Sequence, residues 1–273
     1  MVEIGTFGFW QRVVDSTPEM AKEAERLGYH ALWAGGSPPG DLEKVEGLIA
    51  ATETIPVITG IVNMWREPVD LVAASYHRIE DRYPGRFILG LGIGHPEATS
   101  EYSNPYQTMV DYLDRVGEAG VPRERLVLAA LGPKALRLSA DKTLGAHPYL
   151  TSPVHDRAAR AILGETALLA PGQKLILDTD PDRARGQARE NVARYLRLVN
   201  YRNNLLREGW TESDLENEGS DRLIDSLVLH GSVDRIADGL RAHVSAGASH
   251  VCVEVLGDAR LEGYGQLAEA LLG

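Results

Sequence analysis

The sequence predicts an α/β protein: a (β/α)8 TIM barrel of parallel strands with a helical insertion between strands 7 and 8. Three observations carry the prediction. Short apolar runs alternate with helical patterns from one end of the chain to the other. Pro18, Pro68, Pro133, Pro153 and Pro181 each follow an apolar run and stand where a first helical residue belongs. Proline is tolerated there because that N–H has no partner in the helix. A length of 273 residues is ordinary for one such barrel. Strands that alternate with helices pair in parallel through right-handed crossovers. Eight units favour closure, with an open doubly wound sheet as the second architecture.

The strands, in order, are EIGTFGF (3–9), HALWAG (30–35), VITGIVN (57–63), FILGLGIG (87–94), LVLAAL (126–131), AHPYLT (146–151), KLILD (174–178) and HVCVEV (250–255). Helical patterns follow nearly all of them. PEMAKEAERLG keeps Ala21, Ala24 and Leu27 on one stripe, and RIADGLRAHVSAG does the same with Ile236, Leu240 and Val244. Between Asp178 and His250 no strand is read. A long helix, DRARGQARENVARYLRLV, leads into extra helices over about 199–231, above or beside the barrel. The expectation is one domain spanning 1–273.

Composition narrows the function. A net charge of −11 argues against general nucleic-acid binding and against an anionic membrane surface. It leaves room for a local basic pocket that takes one anionic cofactor. Cys252, the single cysteine, sits in an apolar run and reads as a small core residue, so no disulfide forms within the chain. No segment reaches the ~18 apolar residues of a membrane span, and MVEIGTFGFW lacks a basic leader. The expected location is cytoplasmic. The expected partner is a small-molecule substrate, with a homodimer as the one protein partner allowed for.

GRFILGLGIGH (85–95) is the most informative stretch. Gly90, Gly92 and Gly94 alternate, so they share one face of a strand and leave it without side chains. Either a neighbouring element or a flat ligand can press against that backbone. The active site of a closed α/β barrel lies where strands end and helices begin. Phe9 and Trp10, Gly35 to Ser37, Asn63 to Trp65, His95, Ala130 to Gly132, and His147 to Thr151 stand at those ends. Such a mouth, aromatic and glycine-rich with few charges, suits a planar and largely apolar ring system. Trp33 and Trp65 can equally be packing residues.

Gly132-Pro133 opens a helix directly after a strand, which makes a turn of free N–H groups able to hold a phosphate; an ordinary βα turn is the plainer reading. GLGIG is not the dinucleotide fingerprint, whose spacing is G-x-G-x-x-G. Asp178, Asp180 and Asp182 alternate in DTDPD, where capping by Asp180 is a simpler explanation than a metal, and no metal site is expected. Glu254 either points into the barrel or forms an ion pair. His95 is the titratable group that ends the glycine strand, and so the candidate catalytic acid or base. His147 stands second.

These pieces resemble one family. VITGIVNMWREPVDLVAAS, followed by RIEDRYPGRFILGLGIGH, is similar to the third and fourth units of luciferase-like flavin and deazaflavin oxidoreductases. LAALGPKALRLSADKTLGAHPY resembles their fifth and sixth strands, and HGSVDRIADGLRAHVSAGASHVCVEV their last helix and strand. HPYLTSP, LAPGQKLILDTDP and NYRNNLLREGW resemble the actinobacterial branch that depends on coenzyme F420. The resemblance implies a deazaflavin or flavin ring at the barrel mouth and a non-prolyl cis peptide at Gly60-Ile61 within a bulge that supports it. It implies cofactor contacts from Gly60, Ile61, Asn63, Gly92, Gly94, Ala130, Leu131 and Gly132, and from His147, Tyr149 and Thr151. The cofactor phosphate would meet the turn at Gly132. Phe9, Trp10 and Trp65 would line the substrate.

The chain also departs from that pattern. An Asp-His pair that ends strand two in several relatives is replaced by Gly36-Ser37, and an acid that often follows the glycine strand is replaced by His95. The segment between strands four and five is shorter than usual. Alcohol and sugar-phosphate substrates of those relatives are therefore not expected. The leading expectation is hydride transfer with coenzyme F420. An FMN-dependent monooxygenase, a non-catalytic ring-binding barrel, and an unrelated hydrolase or lyase using His95 and Asp178 follow in that order.

Overall fold

Eight parallel strands close into a ring in a computed structural model that describes residues 4–95, 104–257 and 260–273. Glu3, at the head of the expected first strand, lies outside the described residues. The strands are β1 Phe7–Arg12, β2 Leu32–Gly35, β3 Val57–Gly60 and Val62–Asn63, β4 Phe87–Gly92, β5 Leu126–Leu128, β6 Gly145–Ala146, β7 Leu168–Leu169 and Gly172–Ile176, and β8 Val251–Val255. β8 pairs with β1 through Phe7 and Val251. β7 closes the far side: Ala170 N–H donates to Ala146 at 2.9 Å, and Cys252 N–H donates to Pro171 at 2.8 Å.

Strand alternation divides the apolar residues into two layers. Trp10, Ala31, Trp33, Ile58, Ile88, Val127, Ala170 and Cys252 fill the barrel interior. Phe7, Phe9, Leu32, Val57, Phe87 and Val253 point outward into a larger core beneath the helices. Cys252 is buried in the first layer, as its apolar run suggested.

The ring helices are α1 Pro18–Arg26, α2 Glu43–Ala50, α3 Val69–Arg82, α4 Pro105–Glu118, α5 Pro133–Lys142 and α6 Pro153–Leu163. Then come α7 Pro181–Leu196, α8 Val199–Arg207, α9 Glu212–Leu215, α10 Asp221–Leu227, α11 Val233–Ser245 and α12 Arg260–Leu272. Pro18, Pro133, Pro153 and Pro181 open their helices as expected. Pro68 stands one residue earlier, at the N-cap of α3.

α11 packs against α6 and α12 and so completes the ring. The long helix α7 packs instead on α8 and α10. With them it forms a second core around Ala184, Ala188, Val192, Leu205, Leu223 and Ile224. A short strand, Val228–His230, pairs with the upper half of β7 through Val228 to Lys174 and His230 to Ile176. It was not anticipated, because three residues ending a helical pattern carry no strand period. Four expected strands also run past their observed ends: β4 stops at Gly92 and β7 at Ile176. β5 ends at Leu128 and β6 at Ala146, so His147, Tyr149 and Thr151 lie on the loop above β6.

Candidate active site at the barrel mouth

One wall of the mouth is made of backbone. The Gly60-Ile61 peptide is cis. Below it Val57 and Ile58 pair with Phe87 and Ile88, whereas above it Val62 and Asn63 pair with Leu91 and Gly92. The register slips by one residue, so β3 carries a bulge that pushes toward β4. Thr59 Oγ1 fixes it, accepting from Gly90 N–H at 2.7 Å and donating to Gly90 O at 2.9 Å. The glycine face is filled by this bulge. A Cβ on Gly90 would fall on the Thr59 carbonyl oxygen, one on Gly92 would lie 2.6 Å from Ile61, and one on Gly94 2.7 Å from Asn63 Nδ2. Of the two occupants open to the glycines, the neighbouring element is the one in contact. Asn63 is buried, and its Oδ1 accepts from the Trp65 amide at 2.9 Å.

The opposite wall, above β6 to β8, is made of polar side chains. Alternation places Lys174 and Glu254 inside. Lys174 is 2 % exposed and its Nζ lies 2.7 Å from Glu254 Oε1. Tyr149 donates its phenol proton to Glu254 Oε2 at 2.6 Å. The Tyr149 ring stacks on Trp10 at 5.8 Å, and the His147 ring on Trp33 at 4.4 Å. Burial lowers the His147 pKa to about 4, so the ring is neutral. Its Nδ1–H donates to the Ala170 carbonyl at 2.7 Å. Nε2 then remains as an acceptor, 3.5 Å from where a Gly60 Cβ would stand. Burial, then the Glu254 charge, pushes the Tyr149 phenol well above its ordinary pKa. Trp10 Nε1 is buried with no hydrogen-bond partner among the described residues, and lies 3.2 Å from the Gly60 Cβ position.

The third part is an anion-ready corner. Gly132 caps α5 with extended backbone, and nothing but Arg207 Nη2, 4.0 Å away, approaches its Cβ position. Leu131 O accepts from His155 Nε2 at 3.0 Å. Thr151 is 1 % exposed and its Oγ1 has no partner among the described residues. Free amides at a helix N-terminus beside a guanidinium form a phosphate-type cradle. This buried orphan donor and the open glycine fit the group that the resemblance implies.

Several expected positions move. Phe9 is a correction: it is fully buried under the helices, stacked on Tyr264 of α12 at 3.8 Å, because it has the opposite strand parity to Trp10. Ala130 turns outward too, into a core with Leu136 and Ala159. Leu131 packs against the insertion core, and Trp65 is half-buried past the end of β3. His95 is half-buried, with Nδ1 3.1 Å from Asn200 Oδ1 and its ring 5.4 Å from Tyr201, so it faces the insertion. Asp178 is held by Arg183, and Asp180 caps α7. Lys174, Tyr195 and Arg207 were not singled out from the sequence. Lys174 had a signal: a lone cation inside an apolar strand, two residues from Gly172 on the same face.

A family model described as luciferase-like monooxygenase matches residues 3–250. No curated protein sequence matches the chain. Solved structures do. An F420-dependent secondary alcohol dehydrogenase, in complex with an F420-acetone adduct, is 15% identical with a TM-score of 0.76, covering 98% of each chain. The coenzyme F420 dependent tetrahydromethanopterin reductase from Methanopyrus kandleri is 16% identical with a TM-score of 0.74, covering 99% of each chain. The oxygenating constituent of 3,6-diketocamphane monooxygenase from Pseudomonas putida, in complex with FMN, is 13% identical with a TM-score of 0.70. That match covers 98% of this chain and 97% of the other. Among the described residues no helix is long and apolar enough to cross a membrane.

Proposed function

The chain belongs to the luciferase-like monooxygenase family, and on that premise we propose that it is an oxidoreductase that transfers a hydride between coenzyme F420 and a small organic substrate. One observation carries the reading: an uncharged wall at the Gly60 bulge of β3 faces polar groups across the mouth, with an anion-ready helix terminus beside it. A flat ring with an anionic tail has that outline.

The α5 amides at Gly132, with Arg207 and Thr151, would hold the phosphate. Gly60, Ile61 and Asn63 would support the ring through backbone and the bulge. The cofactor, when bound, supplies the hydride chemistry, and the protein supplies binding, orientation and proton handling. The Trp10 indole N–H, buried and without a partner among the described residues, is a donor for an oxygen or nitrogen acceptor placed over the floor. An apolar interior beneath Trp10 and Trp33 excludes water from below.

The second reading is an FMN-dependent monooxygenase, favoured by the likeness to a structure that holds FMN. Side-by-side titration with coenzyme F420 and FMN, followed by quenching of each cofactor's fluorescence, separates the two. Preferential saturation by coenzyme F420 supports the first. Saturation by FMN alone transfers the assignment to the second, and binding of neither removes both.

A further inference from the structure

We propose that Tyr149 is the group that exchanges a proton with the substrate, with Glu254 as its relay and Lys174 as a positioning residue, on a substrate whose reacting group is a hydroxyl or the carbonyl it becomes. This rests on the oxidoreductase reading above, and it revises the expectation that alcohols are not substrates: Gly36-Ser37 removes one proton-handling pair from the mouth, and Tyr149 with Glu254 supplies another.

The argument begins with a cost. Lys174 and Glu254 are 2 % and 7 % exposed. Desolvating such a pair costs about as much as its attraction returns, and apolar residues of similar size commonly stabilise a core as well or better. Packing therefore gives no reason for a cation and a carboxylate at the top of an otherwise apolar barrel. Geometry gives one. Both Glu254 oxygens are engaged, one by Lys174 and the other by the Tyr149 phenol. Tyr149 gives its proton to Glu254, so its oxygen keeps acceptor capacity for a substrate O–H. Of the three it is the residue that remains partly exposed. The titratable and charged groups that face it come from three elements and the β6 loop. They are Glu254 of β8, Lys174 of β7, Tyr195 and Arg194 of α7 and His147 of its own loop. Arg194 donates to the Tyr195 hydroxyl at 2.7 Å, which leads the array toward the surface.

In the oxidising direction the substrate hydroxyl proton moves to the Tyr149 oxygen while the Tyr149 proton moves to Glu254 Oε2. The cofactor, when bound, would supply the hydride acceptor for the substrate C–H as the C=O bond forms. Reduction reverses each transfer. The Lys174 Nζ, 2.7 Å from Oε1, fixes the Glu254 carboxylate so that Oε2 stays aimed at the Tyr149 phenol. His95 is turned to Asn200, and His147 is a weak base because burial holds its pKa at about 4.

The test has two arms. The first uses cofactor-free protein and the ultraviolet signal of tyrosine ionisation. The spectrum of the parent minus that of Tyr149→Phe isolates one phenol, expected to titrate well above 10. The same difference in a Glu254→Gln background should titrate at least ten times more readily, because the anion is gone. An unchanged titration overturns the relay. The second arm loads the cofactor that binds in the titration above. It supplies aliphatic secondary alcohols with the oxidised form and the matching ketones with the reduced form. Tyr149→Phe should lower kcat by roughly 10²-fold or more with KM and cofactor Kd nearly unchanged. Lys174→Arg should keep turnover and shift its pH profile. Full turnover in Tyr149→Phe, or no turnover of any alcohol or ketone by the loaded parent, overturns the proposal. Failure of both cofactors to bind overturns the oxidoreductase reading itself, and is seen separately in the titration.

Discussion

The two walls of the mouth are built in opposite ways. The β3–β4 wall carries no charged side chain, and the bulge fills the space over three glycines with the Thr59 carbonyl and the Ile61 and Asn63 side chains. The β6–β8 wall has a buried ammonium, a buried carboxylate, a phenol and a neutral imidazole set into an apolar barrel. A backbone wall offers shape without charge; a polar wall offers protons. A redox barrel needs both, and here they come from different halves of the ring. Each wall is therefore sensitive to a different kind of damage.

The largest expected effect breaks the polar wall. Lys174→Met leaves Glu254 buried with a single hydrogen-bond partner. Removing one member of a buried pair costs about 3–5 kcal/mol, to be read from urea denaturation at neutral pH. The double variant Lys174→Met with Glu254→Leu should recover most of that loss. A single variant as stable as the parent would mean that the two charges do not act as a unit.

The next effect is a pH dependence that arises from the same side of the barrel and from the layer below it. Burial lowers the pKa of His147 and of His250 to about 4, whereas an unfolded histidine titrates near 6.5. Between these values the unfolded chain binds more protons than the folded one, so stability falls as the pH falls. The contribution is full above about pH 6.5, declines toward pH 4, and is of order 3 kcal/mol for each ring. Urea midpoints measured from pH 7 to pH 4.5 should fall steeply. His147→Gln should flatten the slope, and a slope unchanged in that variant would assign it elsewhere.

The two walls were also unequally legible in the sequence. The backbone wall is local: Gly90, Gly92 and Gly94 sit within five residues, and the strand period alone puts them on one face. The Gly60-Ile61 bulge and the helix start at Gly132-Pro133 followed from short stretches and from resemblance. The polar wall is not local. Lys174 and Glu254 are 80 residues apart in the chain, and only the ring closure of β7 on β8 brings them together. Glu254, open in the sequence to an inward position or an ion pair, has both. Phe9 stands near a strand end, which favours the mouth by position, but parity turns it outward. Its neighbour Trp10 takes the inner face.

A smaller effect tests the backbone wall. Gly90→Ala puts a Cβ onto the Thr59 carbonyl oxygen, and a backbone atom cannot swing aside as a side chain can. Overpacking of this kind costs about 1–3 kcal/mol or more. Gly92→Ala meets the flexible end of Ile61 and should cost less. Equal stability of the Gly90 variant and the parent in thermal unfolding would mean that the bulge gives way easily, and the wall would not be a rigid support.

The smallest effect on the fold, and the most selective on binding, is expected at Gly132. Its φ is −84°, a value any residue adopts, and the space around its Cβ position is open apart from Arg207 Nη2. Gly132→Val should therefore fold, losing no more than about 1 kcal/mol from a poorer N-cap. The β-branched side chain would nonetheless stand beside the amides that an anion must approach. Cofactor affinity should fall on the order of tenfold, equal to one lost charge-assisted contact of about 1.4 kcal/mol. Arg207→Ala should weaken binding in the same way, since the guanidinium and the helix terminus would serve one phosphate. If Gly132→Val binds coenzyme F420 and FMN as tightly as the parent while Arg207→Ala does not, the anion is held by the insertion alone. If neither variant changes affinity, the phosphate lies away from α5, and the backbone wall would support a ring whose tail leaves the mouth in another direction.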